Sequence, residues 1–269
     1  LFNPCFQIGF IPVTDDGVCG AQFCNLTSMN GALIKTKEDY FECVKYATII
    51  GTCQAAYTNF NYLGHASKEI TEEESLLGVS MTGIMDNPDV LLDPENQRKA
   101  AKIAVETNKE WAKLLGINPA ARITCVKPEG TSSLVLKSAS GIHPHHARKY
   151  FRRCQVNKLD PVYKFFKKHN PHMCEESVWS ANKTDDVVKF PLTIPETSLI
   201  KSDLDAERHL KHIKSTQQNW VIPGTTSVNK KPIEHNVSCT VIVEDNEWDK
   251  VAEILYKNRD YFAAVSLLP

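Results

Sequence analysis

Thiols, hydroxyls and imidazoles gather at a few points of this chain, and each gathering suggests a chemistry. Asn3-Pro4-Cys5-Phe6-Gln7 sets a cysteine in a proline turn between two amides, and Phe23-Cys24-Asn25-Leu26 places another ahead of a polar–apolar stretch. A cysteine can act as nucleophile or redox group, but a buried inert thiol is the better reading for either segment taken alone. Lys127-Pro128-Glu129-Gly130-Thr131-Ser132-Ser133 directly follows an apolar run. A glycine with Thr and Ser hydroxyls behind a strand presents backbone N–H groups and side-chain donors to a phosphate. It is not a P-loop, since no G-x-x-x-x-G-K-[ST] occurs, and an ordinary turn has the same composition. Gly141-Ile142-His143-Pro144-His145-His146 lacks the helical i, i+4 spacing and acidic companion of a zinc protease. A structural or substrate-facing loop is therefore the better reading there, and no metal is expected. Arg148, Arg152 and Arg153 can pair with carboxylates or phosphates, or form a solvated face.

Composition narrows the classes. Lys and Arg number 31 against 32 Asp and Glu, a net charge of −1, which argues against nucleic acid or a polybasic membrane surface as main partner. Hydrophobic residues make up 42% of the 269, enough for a sizeable core. No apolar run approaches the roughly 18 residues of a spanning helix, so no membrane partner is expected. The N-terminal Leu-Phe-Asn-Pro-Cys lacks the pattern of a signal peptide. The nine cysteines include no C-x-x-C pair, so zinc-ribbon and thioredoxin-type readings lack their spacing. Most are expected to be reduced, and the cytoplasm is the expected compartment.

Caps and periodicity indicate the elements that must position these groups. Thr36-Lys37-Glu38-Asp39 has the form of a capping box and predicts a helix with Tyr40, Phe41, Val44, Ala47, Thr48 and Gly51 along one side. Asp93-Pro94 and Gly116 bracket a helix over 94–115. Arg122 to Val126 reads as a strand entering the hydroxyl-rich turn. Asp160-Pro161 opens a helix to about His169, and Ser202 is expected to cap another to about Trp220. A strand over 237–243, a helix over about 247–257 and a strand over 262–267 complete the series. Such alternation predicts the α/β class, a parallel or mixed sheet covered by helices. Both ends read as abrupt, so a piece of something longer is expected.

Taken together, several segments form an ordered pattern: NPC at 3–5, QFCNLTSMNGA at 22–32, GTCQAAYTNFNYL at 51–63, LLGVSMTGIMDNP at 76–88 and RITCVKPEGTSS at 122–133. It continues with SGIHPHHARKYFRR at 140–153, TQQNWVIPGT at 216–225, HNVSCTVIV at 235–243 and the terminal AAVSLLP. The pattern resembles the C-terminal catalytic part of a ribonucleotide reductase large chain, most like the adenosylcobalamin-dependent class II branch. The resemblance implies part of a ten-stranded α/β barrel with a finger loop in its centre and the Asn-Pro-Cys turn at the loop's tip. It implies a barrel segment spanning 1–269 and starting at the finger loop, with the N-terminal half and the C-terminal tail lying elsewhere. By the same resemblance Cys5 is the thiyl-radical residue that abstracts the 3′-hydrogen of the substrate ribose. Asn3 hydrogen-bonds the substrate or its neighbouring acid, and Cys24 is one of two cysteines that reduce the 2′-carbon and become a disulfide. Pro128, Glu129, Gly130, Thr131, Ser132 and Ser133 match the loop that holds the substrate's phosphates, while Cys19 has no counterpart. A cysteine suits the radical role because its S–H bond can yield and recover a hydrogen atom, and burial in the barrel would shield it. Adenosylcobalamin is the implied cofactor, by homolysis of its cobalt–carbon bond. The implied partners are a ribonucleoside di- or triphosphate, thioredoxin or glutaredoxin as reductant, and the remaining N-terminal half of the reductase in cis or in trans.

Gln7 departs from that pattern. The family has glutamate there as general base for the 3′-hydroxyl, and an amide holds a hydrogen bond but takes no proton. Turnover is expected to be lowered by orders of magnitude unless another base or a water serves. Three alternatives share these residues. One is a catalytically impaired reductase-like chain acting only in assembly or regulation. Another is a class I large chain that takes its radical from a di-iron subunit, and the third a zinc-binding α/β protein using His143, His145 and His146 with a cysteine. Retention of Asn3, Cys5, Cys24 and the 128–133 turn argues against the first, and the overall match favours cobalamin over the second.

Overall fold

Local capping sets many of the boundaries. In the computed structural model, which describes residues 1–226 and 233–269, Thr36 and Asp39 form the expected capping box and Asp93 caps the helix that Gly116 ends. The elements run as strand β1 (Asn25–Asn30), helices α1 (Lys37–Ala55) and α2 (His65–Glu74), β2 (Leu77–Thr82), α3 (Pro88–Leu91), α4 (Pro94–Leu115) and α5 (Ser132–Leu136). There follow β3 (Lys149–Asn157), α6 (Pro161–His169), β4 (Cys174–Glu176), β5 (Asp185–Thr193), α7 (Ala206–Thr216), β6 (Thr240–Ile242), α8 (Trp248–Lys257) and β7 (Ser266–Leu268). They divide into two units, Leu1–His145 with Thr197–Pro269, and His146–Glu196.

The larger unit is α/β. β1 and β2 pair in parallel from Asn25 opposite Leu77 to Asn30 opposite Thr82. The ladder passes to the 122–126 segment, where Val79 bridges Thr124 in parallel and the Leu77 N–H donates to the Arg122 carbonyl (3.1 Å). From there it passes to Val237, bridged in parallel by Val126, and β6 pairs in parallel with β7. Parallel neighbours need crossovers, and the helices supply them. β2 is buried at every position, as a strand covered on both faces must be. Its side chains alternate between two clusters. Leu77, Val79 and Met81 meet Tyr40, Val44, Ala100, Ala104 and Trp220, while Gly78 faces a smaller cluster of Ile8, Leu76, Ala121 and Cys125.

Some boundaries differ from expectation. The helix expected from Ser202 begins at Ala206, because Asp205 is the residue whose side chain accepts from a first-turn amide, Arg208 N–H at 2.7 Å. Ser202 lies in a 3-10 turn (Lys201–Asp203), and beyond Thr216 the helix widens into a π turn (Gln217–Val221). β7 starts at Ser266 rather than 262 because Arg259–Tyr261 closes a 3-10 turn first.

The smaller unit is an antiparallel sheet in the order β3-β5-β4, with Lys149 opposite Thr193 and Asn157 opposite Asp185. Only α6 was expected here, since Arg152, Arg153, Asp185, Asp186 and Lys189 interrupt the apolar pattern that marks a strand. Asp186, buried, accepts from the Tyr163 hydroxyl and from Lys167 Nζ (2.6 Å), which ties α6 to β5.

Among the described residues no helix is long and apolar enough to cross a membrane. Within the larger unit Asp86 joins three segments: Oδ1 meets His145 Nε2 (2.7 Å) and the Ser198 hydroxyl (2.9 Å), and Oδ2 accepts the Ala139 N–H (2.8 Å). Burial pushes its carboxyl up, but these bonds outweigh burial and hold it below the ordinary value. Asp86→Ala strands those buried partners and is expected to cost about 3–5 kcal/mol. The urea midpoint should fall with an unchanged m-value.

Candidate active site

Residues 1–10 double back as a tight hairpin. Phe2 bridges Gly9 antiparallel, the Asn3 N–H donates to the Ile8 carbonyl (3.2 Å), and the Phe6 N–H to the Asn3 carbonyl (2.8 Å). The Asn3 side chain is the internal scaffold, its Oδ1 accepting both the Gln7 and Ile8 N–H groups at 3.0 Å. Phe6 takes a left-handed conformation (φ 57°), which closes the turn. Cys5 is thereby lifted to an exposed tip, and Gln7 is turned inward and fully buried. Burial of Cys5 is expected of the complete barrel, and none of the described elements of this chain closes over the tip.

Ile8 seats the hairpin on the sheet. Gly78 makes room for it, since a Cβ there would stand 2.8 Å from Ile8 Cδ1 and 2.4 Å from Leu26 Cδ2. Asn236 completes the seating: its N–H donates to the Gln7 carbonyl (2.9 Å), and its Nδ2 to the carbonyls of Phe6 and Ala264 (3.0 Å each). Sequence reasoning passed over Asn236, whose partners are remote in the chain. Its place in the HNVS segment was the only signal.

Cys24 lies half-buried just before β1. Burial, and then the charge of Cys5, push its thiol above the ordinary value. Cys125, fully buried in the cluster with Ile8, is pushed up by burial first, then by Glu129 and Cys24. The sequence pattern marks it only as part of the 122–126 strand. The 128–133 turn leaves the sheet close by, since Lys127 follows Cys125 by about 7 Å of extended chain.

Within that turn Pro128 leads into Glu129, which is buried with φ 54°, while Gly130 and Thr131 are exposed. The Ser132 hydroxyl donates to the Glu129 carboxylate, and Ser133 Oγ lies 2.9 Å from Ser140 Oγ. Lys127 Nζ stands 3.8 Å from Glu129 Oε2, while the buried Oε1 finds no hydrogen bond among the described residues. Thr131 opens α5 without capping it through its own side chain. An anion above Gly130 and Thr131 would meet helix amides and Lys127, opposed by the buried carboxylate.

The histidines do not converge. His143 uses both ring nitrogens, Nδ1 on the Ser140 carbonyl (2.7 Å) and Nε2 accepting the Thr240 N–H (2.9 Å), and His145 is bound to Asp86. His146 packs edge-on against Tyr150 in the smaller unit. Among the described residues no three His, Cys, Asp or Glu side chains gather as metal ligands. Arg148 and Arg153 face carboxylates, Glu196 at 3.6 Å and Glu175 at 3.4 Å.

No family model matches the chain. It is 24% identical over 308 residues to the adenosylcobalamin-dependent ribonucleoside-triphosphate reductase of Lactobacillus acidophilus, covering 97% of this chain and 39% of that protein. The enzyme of the same name from Lactobacillus leichmannii is 24% identical over 305 residues, covering 99% and 37%. A crystal structure of a B12-dependent class II ribonucleotide reductase matches with a TM-score of 0.74 at 20% identity, over 100% of this chain and 38% of that one. The α subunit of the Actinobacillus ureae class Id ribonucleotide reductase matches with a TM-score of 0.55 at 12% identity, over 91% and 49%. The two structures show a shared fold. The chain therefore resembles a ribonucleotide reductase large chain, most like the adenosylcobalamin-dependent branch, and spans 37–39% of the length of these curated relatives.

Burial holds two histidines of the larger unit neutral. His235 is lowered from 6.5 to about 3 by burial and then Arg122, and His209 to about 4 by burial and then His143. The unfolded chain takes up these protons first, so their stabilisation is complete above pH 6.5 and declines as pH falls toward 4. Urea midpoints across that interval should fall steadily, and a flat profile would contradict the burial described.

Proposed function

We propose that this chain is the finger-loop part of a ribonucleotide reductase, in which Cys5, as a thiyl radical, removes the 3′-hydrogen of a ribonucleotide. The observation that carries the reading is the hairpin that Asn3 builds from within, which holds Cys5 at an exposed tip with Gln7 buried beneath it. Similarity to reductases over 97–99% of the chain supports it. The 2′-hydroxyl leaves as water. Cys24 and a second cysteine outside this chain supply two electrons and two protons as they become a disulfide, and Cys5, holding the abstracted hydrogen as a thiol, gives it back to the 3′-carbon and becomes the thiyl radical again. Thioredoxin or glutaredoxin would then reduce the disulfide. Asn3, with Oδ1 engaged in the loop, would reach the substrate through Nδ2. The Pro128–Ser133 turn would hold the di- or triphosphate through Gly130, Thr131 and the α5 amides.

Cys5 and the half-exposed Phe6 form an open tip with apolar surface, which fits a large flat group seated against it, as adenosylcobalamin would be. Those two residues would face the cofactor, which when bound supplies the radical by homolysis of its cobalt–carbon bond. The exposure of Cys5 calls for the rest of a ten-stranded barrel, contributed in cis or in trans, to keep water from the radical. Free cysteines throughout suit a reducing cytoplasm.

Gln7 favours a second reading, an impaired chain acting in assembly or regulation. Its amide is fully buried, and among the described residues neither Oε1 nor Nε2 has a partner. One experiment separates the two. Given adenosylcobalamin and 3′-labelled ribonucleoside triphosphate, the assembled enzyme should exchange the label with Cys5 and form deoxynucleotide. Cys5→Ser should abolish both, and Cys24→Ser should keep exchange but lose product. Gln7→Glu should raise turnover by about 100-fold, the usual scale of a general base. No exchange in either the native enzyme or Gln7→Glu would favour the second reading.

A further inference from the structure

The root of the hairpin is gripped by side chains that the radical chemistry does not itself use. Gly9 gives its N–H to His235 Nδ1 (3.1 Å), and its carbonyl accepts from Arg122 Nε (3.2 Å). His235 donates in turn from Nε2 to the Leu77 carbonyl of β2 (2.7 Å), so its ring hydrogen is on Nε2. Arg122 pairs through Nη2 with Glu74 at the end of α2 (2.5 Å). Glu74 also accepts from Gln22 Nε2 (2.5 Å), while Gln22 Oε1 accepts the Ile11 N–H (2.7 Å). His235, Arg122 and Glu74 are all buried, at 0%, 1% and 1% exposure. The approach is close: a Cβ on residue 9 would lie 2.4 Å from the Glu234 carbonyl oxygen.

A strand paired only to another backbone can slip in register. Here the returning arm of the hairpin is held by side chains rooted in β2's neighbour, in α2 and in the 235–238 segment, and none of them follows a slip. A buried ion pair such as Arg122–Glu74 is weak evidence for stability, but it suits the fixing of a register.

We propose that His235 and Arg122 are positioning residues that set where the finger presents Cys5, and that the Gly9 N–H to His235 bond is the one on which turnover depends. This rests on the reading of Cys5 as the radical residue. Two substitutions separate the bonds of His235. In His235→Asn the amide oxygen stands where Nδ1 stood and keeps Gly9. In His235→Gln the terminal nitrogen stands where Nε2 stood and keeps only Leu77.

In the assembled enzyme, His235→Gln should speed hydrogen–deuterium exchange of the segment 2–10 by about tenfold, with α1 and α4 unchanged. Its kcat should fall by about 100-fold with KM within about twofold, the scale expected when a reacting group moves by about an ångström. His235→Asn should stay within about threefold of the native enzyme in both measurements. Gly9→Ala, which pushes the hairpin off Glu234 and leaves the imidazole intact, should reproduce His235→Gln even where that variant folds poorly. Equal losses in the Asn and Gln variants, or unchanged exchange in Gly9→Ala, would overturn the proposal. Faster exchange in His235→Gln and Gly9→Ala, in an enzyme whose native form exchanges no 3′-hydrogen, would uphold the grip on the hairpin and remove the reductase reading instead.

Discussion

A hairpin laid against the buried face of a sheet pairs only part of its backbone with itself, and the peptide groups left over must find partners elsewhere. That constraint organises the larger unit. Asn3 takes the amides of Gln7 and Ile8, Asn236 the carbonyls of Phe6 and, through its own N–H, Gln7, and His235 and Arg122 the two groups of Gly9. Gln22 takes Ile11. These residues come from the start of the chain, from the segment beside β2 and from the stretch before β6. The polar segments around the sheet are therefore the receptors of the hairpin as well as parts of the ladder.

The hydrophobic contribution is narrower and sits at one point. Ile8 fills the space above Gly78, and Cys125 and Leu26 close around it. This contact holds the hairpin down, while the hydrogen bonds decide how far along the sheet it lies. The chemistry then depends on geometry at the far end. Cys5 emerges at the exposed tip, and Gln7 is folded under it with neither polar side-chain atom bonded among the described residues. An unpaired buried amide costs free energy wherever it occurs, which marks residue 7 as the place where the loop is least at ease.

The smaller unit obeys a different logic. Its antiparallel strands carry exposed charged pairs such as Arg153 with Glu175, while the buried Val187 and Val188 and the Asp186 carboxylate that ties α6 to β5 lie inside. Exposed charge on one strand and a buried carboxylate on the next give no period that a sequence pattern can detect.

The amino-acid sequence by itself determined the features that rest on neighbours in the chain. The capping box at Thr36, the helix from Pro94 to Leu115 and the helix from Pro161 were legible because a cap is a contact across three or four residues. The α/β class followed from alternation, and the segments around Cys5, Cys24 and the 128–133 turn were legible through their resemblance to a family. Even local reading failed where two caps compete, as Ser202 and Asp205 do before α7. Tertiary structure alone decided the parallel ladder, the antiparallel order of the smaller unit, the exposure of Cys5 and the grip on Gly9. The reason is distance along the chain: Gly9 and His235 are 226 residues apart, and Arg122 lies 113 residues from Gly9. A bond of that span leaves no trace in local composition, and only folding brings its two ends within 3.2 Å.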